Sequence, residues 1–317
     1  MSDLSDIEAA AQRIAPYVVR TPTVPSPGLG ELLGVPVTAK LELLQRTGSF
    51  KPRGATNKLL TLDRAARDAG VVAVSGGNHA VAVAVMARVL GVKATVVMPR
   101  GAPRQAAETA RAADATVRLT DDMDGAFALM NQLRDEGMTL LHPFDDPTVL
   151  AGQGTVGLEM AQDAGELTDV LVSVGGGALL AGVATAVRAL RPGVRIWGVE
   201  TEGAQAMSEA LAVGHPTPVR LSSLVSTLSA PAVSELTFRR VRDLVEEVLV
   251  VSDAEAVRGT LDLAHHAKVW AEPAAGCLLP AARRVRDRVG PGAHLGLVVC
   301  GGNVSLDDVT AWADRLL

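Results

Sequence analysis

The chain has 317 residues, 48% hydrophobic but only 3% aromatic, and a net charge of −5. That length exceeds what one compact core usually handles, so two lobes with an aliphatic interior are expected. The charge offers no basic surface for a nucleic-acid partner, the N-terminal twenty residues lack a secretory pattern, and no window approaches the roughly eighteen apolar residues of a membrane span.

Short β-rich runs that end in glycine alternate with amphipathic, alanine-rich segments. In chain order the pattern predicts a helix over Ser5–Ala15, a surface excursion over Thr21–Gly34, a strand over Val37–Leu43 and a helix over Pro52–Ala69. Next come strand Val71–Ser75, helix His79–Leu90, strand Ala94–Met98, helix Arg104–Ala113, strand Thr116–Leu119 and helix Gly125–Asp135. Helix Val149–Asp163, strand Val170–Val174, helix Ala178–Leu190, strand Arg195–Val199 and helix Ala204–Leu211 follow. The aperiodic stretch Gly214–Pro231 suits either a lid or a plain connector. The chain then gives strand Val248–Val251, helices Ala254–Lys268 and Ala274–Val289, strand Leu295–Cys300 and helix Leu306–Leu316. Alternation of this kind means parallel sheet with right-handed crossovers. The two cysteines, Cys277 and Cys300, lie in apolar settings and read as reduced thiols of a cytoplasmic protein.

Three strand-to-helix turns share one design: Ser75-Gly76-Gly77-Asn78, Gly175-Gly176-Gly177-Ala178 and Cys300-Gly301-Gly302-Asn303. Ligands of open α/β sheets sit at the carboxyl ends of strands, where glycine lets backbone approach closely. Consecutive N–H groups at Gly175–Gly177, opening a helix, suit a phosphate. Tight strand–helix packing without a ligand would use the same glycines. The sequence after Gly177 lacks the spacing of a dinucleotide fingerprint, so a small phosphate ester is expected rather than NAD.

In Ser49-Phe50-Lys51-Pro52, Ser49 suits a helix cap and Pro52 a first turn. Lys51 then stands at the positive end of a helix, where its cation is disfavoured, and desolvation would lower its pKa further. A neutral amine is what carbonyl chemistry requires. An exposed lysine beside a cap fits the same stretch.

Together these residues closely resemble the fold type II pyridoxal-phosphate enzymes, in the serine/threonine dehydratase branch. The stretches that carry the resemblance are 40–55, Ser75–Ala80, His142–Pro147, Ala151–Thr155, Gly175–Ala178, Glu272–Gly276 and Cys300–Asn303, in the family order over nearly the whole chain. The resemblance implies an α/β fold of the tryptophan synthase β type, with two parallel-sheet lobes and the cofactor in the cleft. Residues 1–69 and 146–317 would form the large cofactor-binding lobe and 70–145 the small one. Lys51 would hold pyridoxal 5′-phosphate covalently and later act as base at the substrate Cα. Phe50 would lie against the ring, and Asn78 would bond its hydroxyl. Gly175, Gly176, Gly177, Ala178 and Leu179 would cradle the phosphate by backbone N–H. Ser75, Gly76, Asn78 and His79 would form the substrate-carboxylate pocket, and Cys300 would face the ring nitrogen. A thiol does not force a proton onto that nitrogen. The ring is then a weaker electron sink, which favours elimination over transamination. Cys300 also fits as a small buried apolar residue.

The chain departs from the family in several places. Ala178 replaces a fourth glycine, which is tolerated if its φ is helical. Gly76 stands where serine racemases carry the second proton-transferring serine, so racemisation lacks a group on one face. Glu200 matches the first carboxylate of a divalent-metal site, but Ala206 falls on the later aspartate. No metal is expected, and Glu200 reads as a solvated carboxylate. Ser226 and Thr227 replace a common Asp-Gly near the substrate. Phe144 follows His142-Pro143 as in threonine dehydratases, where the racemases have Asn. A C-terminal effector domain, and with it feedback control, is not expected. Glu272, before Pro273 in a family-like stretch, would line the cofactor pocket and is given no catalytic role.

The expected activity is deamination by elimination of water from L-threonine, giving 2-oxobutanoate and ammonia, or from L-serine, giving pyruvate. The sequence offers no obvious acid for the β-hydroxyl other than the cofactor phosphate. A serine or hydroxyaspartate racemase, a dehydratase of another β-hydroxy amino acid as in hydroxyectoine breakdown, and a non-catalytic sensor are the alternatives. A homodimer with a small amino-acid substrate and no membrane or nucleic-acid partner is expected.

Overall fold

A computed structural model describes residues 3–317; Met1 and Ser2, at the start of the expected large lobe, lie outside the described residues. The described residues form ten strands: β1 (Thr23–Pro25), β2 (Val37–Leu41), β3 (Val71–Val74), β4 (Ala94–Pro99), β5 (Thr116–Thr120), β6 (Thr139–Leu140), β7 (Asp169–Ser173), β8 (Arg195–Thr201), β9 (Glu247–Val251) and β10 (Leu295–Val299). The helices of the first two thirds of the chain are α1 (Leu4–Ile14), α2 (Pro27–Leu33), α3 (Lys51–Leu60), α4 (Arg64–Ala69), α5 (Asn78–Val89), α6 (Arg104–Ala112), α7 (Met123–Asp135), α8 (Pro147–Asp163) and α9 (Ala178–Leu190). The rest are α10 (Ala206–Val213), α11 (Glu235–Leu244), α12 (Asp253–Asp262), α13 (Pro273–Gly276), α14 (Leu278–Val289) and α15 (Leu306–Leu316).

The strands make two sheets. One has the order β1-β2-β10-β7-β8-β9, parallel except for β1, which pairs antiparallel to β2. The other, β5-β4-β3-β6, is wholly parallel. Strands β2, β7 and β10 are buried along their whole length, as strands covered on both faces must be. Each sheet has its own aliphatic core cluster, one centred on β7, β10 and α9, the other on β3, β4 and α5.

Several elements differ from the pattern reading. The excursion at Thr21–Gly34 folds into β1 and α2. The expected helix Pro52–Ala69 breaks after Leu60, because Asp63 caps a new helix by accepting from the Ala66 N–H. Helix α11, capped by Ser234, lies between the aperiodic stretch Gly214–Pro231 and the strand at Val248, where the pattern predicts no element; its buried face is only Thr237, Phe238 and Val241. The expected helix Ala254–Lys268 ends its α form at Asp262 and continues as a π turn, Leu263–Ala267, closed by Lys268 at φ 60°. Ser49 does not cap α3. Its residue is tied in an antiparallel bridge to Gly301, the Phe50 N–H donates to the Cys300 carbonyl at 3.1 Å, and the Ser49 hydroxyl is buried without a partner.

Behind Lys51 lies a buried ionic cluster. Arg53 is fully buried and bonds Glu42 at 2.8 Å and Glu159 at 2.7 Å, while Lys40 reaches Glu159 at 2.6 Å. Two cations face two carboxylates, so no charge is left uncompensated. Among the described residues, no helix is long and apolar enough to cross a membrane.

Candidate active site

Strands β2, β10 and β7 are neighbours, and the chain leaving each carboxyl end carries one part of the site. Beyond β2 comes Lys51, beyond β10 Cys300, and beyond β7 the Gly175–Gly177 turn. The second sheet adds Ser75–Asn78 beyond β3 and His142 beyond β6. The residues singled out in the sequence thus converge on one cleft edge of two sheets, where open α/β folds bind ligands.

Lys51 is the first residue of α3, and its Nζ lies 4.9 Å from the centre of the Phe50 ring. Burial lowers its pKa to about 8, against the opposing pull of Cys300 and Glu272. Desolvation is the main cause, beyond the helix-end effect expected from the sequence. Its amine therefore exists in part as the free base near neutral pH.

The Gly175 turn is shaped for an anion. Among the described residues, the N–H groups of Gly175, Gly176, Gly177, Ala178 and Leu179 donate to no protein acceptor, and α9 begins there without a side-chain cap. Gly177 has φ 93°, a conformation glycine adopts at little cost. Ala178 is the first residue of α9 and has no positive φ, so its methyl group fits. The turn is closely walled: a Cβ at Gly176 would fall 2.0 Å from the Phe144 ring, and one at Gly175 would fall 3.0 Å from the Leu228 carbonyl oxygen. Leu228 belongs to a 3₁₀ turn, Ser226–Leu228, in the middle of the long loop. Thr227 of the same turn has its methyl carbon 3.7 Å from a Cβ placed at Gly77. The loop therefore spans two of the three glycine turns.

On the other sheet, the Ser75 hydroxyl accepts from the Gly77 N–H at 3.1 Å, and a Cβ at Gly76 would lie 2.9 Å from the Ala102 Cβ. Both ends of the Asn78 amide are held, with one lone pair of its oxygen left over. Its amide donates to both oxygens of Glu272, at 2.9 and 3.1 Å, and its oxygen accepts from Asn303, which also donates to the Thr47 carbonyl. The His79 ring is buried and bonds the Leu141 carbonyl at 2.9 Å; burial, then Lys51, pushes its pKa down to about 3. The imidazole is thus packed as a neutral anchor beneath α5.

Cys300 is buried with its Sγ 4.0 Å from the Ser173 Oγ. Burial first, then the Glu272 carboxylate, holds its thiol well above the usual range, so it stays protonated. Glu272 is a buried carboxylate whose pKa burial raises to about 7. The sequence marks it through the family-like stretch Glu272–Gly276, which places it at the cofactor pocket, but its partners there are not legible. Glu200 is not solvated. It is fully buried, accepts from Met207 N–H, Ser208 N–H and Ser208 Oγ, and so caps α10. The reason is the sharp return of the chain from β8 into α10, which brings two orphan donors onto it.

A family model described as pyridoxal-phosphate dependent enzyme matches residues 14–301. The chain is 40% identical over 317 residues to an L-threonine ammonia-lyase of Geobacter sulfurreducens, covering 98% of this chain and 77% of that one. Among solved structures, a T.th. threonine deaminase matches with a TM-score of 0.89 at 40% identity, over 96% of this chain and 99% of that one. Maize serine racemase matches with a TM-score of 0.91 at 34% identity, over 99% and 97%. Pyridoxal phosphate suits the residues present: a turn of free N–H donors for its phosphate, and an amine of lowered pKa for its aldehyde.

Proposed function

The chain belongs to the pyridoxal-phosphate-dependent enzymes, and from that premise we propose that the cleft is the active site of a threonine ammonia-lyase. It removes water from L-threonine, or L-serine, and yields 2-oxobutanoate, or pyruvate, with ammonia. The observation that carries this reading is the pairing of one near-neutral amine with one anion turn at adjacent strand ends.

When bound, the cofactor supplies an aldehyde for amines and a conjugated ring that accepts electrons from the substrate Cα–H bond. Lys51 would be the point of attachment, and its free amine would hold the substrate Cα proton at Nζ. The N–H groups from Gly175 to Leu179 bind the phosphate, helped by the α9 dipole. Phe50 would pack against the ring. Ser75, Gly76, Asn78 and His79 shape the carboxylate pocket, His79 by anchoring α5 and Asn78 at its first turn. The neutral Cys300 thiol would face the ring nitrogen without protonating it. Glu272 fixes the rotamer of Asn78, so that the amide is presented in one orientation.

Residues 70–145, which hold the four-stranded sheet, form the small lobe in this reading, and 1–69 with 146–317 the large one. The close packing at Gly76 supports elimination over racemisation, because a serine there would press on Ala102. The homodimer and the cytoplasmic setting are parts of the same proposal; the two free, buried cysteines are consistent with a reducing compartment.

Purified, cofactor-loaded protein incubated with L-threonine, L-serine and L-threo-3-hydroxyaspartate is scored for oxo acid and for D-enantiomer. Oxo acid from threonine is expected. D-serine in excess over pyruvate would replace the lyase with a racemase. Borohydride reduction should fix the cofactor on the peptide that contains Lys51.

A further inference from the structure

His142 follows β6 at the cleft edge, and its environment fixes its chemistry. The ring Nδ1 accepts two backbone N–H bonds, from Asp145 at 2.7 Å and Phe144 at 3.3 Å. Nδ1 must therefore carry a lone pair, which places the ring hydrogen on Nε2. Protonating Nδ1 would break both bonds, and burial, against the pull of the Asp145 and Asp146 carboxylates, also favours the neutral ring. The ring meets Phe144 edge-on with centroids 4.6 Å apart, and Phe144 in turn covers Gly176 of the anion turn. His142 thus stands on the phosphate side of the cleft. Its Nε2 has no acceptor among the described residues and is not one of the sealed, unpartnered atoms. It is a fixed, neutral, accessible N–H donor that the protein itself leaves unused.

We propose that the Nε2–H of His142 donates a hydrogen bond to the β-hydroxyl oxygen of the substrate, and so helps select and expel that hydroxyl. The proposal rests on the lyase reading of the same cleft. His142 transfers no proton; a neutral imidazole that lost Nε2–H would become an anion. It stabilises charge as it builds on the departing oxygen, the role a preorganised neutral donor plays best in a water-poor site. A substrate whose leaving group is chloride makes little use of such a bond.

The test compares His142→Asn with the parent on two substrates. Asn keeps an oxygen near the Nδ1 position to accept the turn N–H groups but withdraws the donor. With L-threonine, kcat/KM should fall about 100-fold, the usual size for one lost donor to developing charge. With β-chloro-L-alanine it should change less than about threefold. A second reading avoids turnover. In Lys51→Ala protein loaded with the cofactor, the absorbance change on titrating L-threonine gives a binding constant. Adding His142→Asn should weaken threonine about tenfold and leave L-2-aminobutyrate, the same skeleton without the hydroxyl, unchanged. Equal losses on both substrates and both ligands would make His142 a structural residue and overturn the proposal, as would no loss on threonine. If the parent deaminates β-chloro-L-alanine but not threonine, the lyase reading fails instead.

Discussion

At the scale of single residues, the site is governed by desolvation. Lys51 titrates at about 8 rather than 10.5 because its surroundings are poor in water, not because a cation lies beside it. Below pH 8 the amine is charged in both the folded and unfolded chain, and folding must bury that charge. Between pH 8 and 10.5 the unfolded chain binds the extra proton, so this cost is relieved and stability rises with pH. The apoprotein with Lys51→Met should therefore be more stable than the parent by about 2–3 kcal/mol at pH 6.5, with the gap closing as pH passes 8 and nears 10.5. Denaturant unfolding of both proteins across that range measures it. A gap that stays constant with pH would mean that packing of the methionine, not the lysine charge, sets the difference. His79 and Cys300 are held neutral by the same cause, whereas Glu272 is poised near neutrality, its pKa raised to about 7. None of these magnitudes is legible in sequence, because each depends on what packs around the group. What the sequence does carry is which residues meet, through the Gly-rich ends of the runs that precede them.

At the scale of elements, the strand ends and glycine turns are legible because apolar runs closed by glycine have one simple geometry. The helix broken by a second cap is not, since the pattern of alanine and leucine continues across Asp63. Helix α11 escapes for the opposite reason: its buried stripe is narrow and its remaining face is charged. The long loop is legible as long and irregular, but nothing local places Thr227 at Gly77 or Leu228 at Gly175; those contacts are set by the packing of distant strands. The anion turn makes the matching prediction. Gly176→Ala would drive a methyl group into the Phe144 ring, so it should lower pyridoxal-phosphate affinity at least about tenfold. Gly176→Ala with Phe144→Ala, which removes the obstruction, should recover a large part of that loss. Cofactor titration by fluorescence decides the matter; a double variant no better than the single one would place the fault in the backbone of the turn.

At the scale of the whole molecule, the reacting parts are held in register by a stack of three helices. Lys51 opens α3, the anion turn opens α9, and α8 lies between them. The stack is close because glycines face backbone. A Cβ at Gly152 of α8 would fall 2.6 Å from the Arg53 carbonyl oxygen of α3, and one at Gly182 of α9 would fall 2.6 Å from the Gly154 N of α8. Arg53 and Glu159 then pin α3 to α8 by a buried ion pair. The distance between amine and phosphate turn is thus fixed by backbone contact, which does not yield as a flexible side chain does. Gly182→Ala places its methyl group against the backbone of α8 and should cost about 1–3 kcal/mol. The same spreading moves the anion turn away from Lys51, so cofactor affinity should drop as well, by more than in a destabilised control such as Val187→Ala on the far part of α9. Comparing melting temperature with cofactor binding in both variants separates the two effects. If the pair lose affinity in proportion to stability alone, the stack is only a core and the register of the site is set elsewhere.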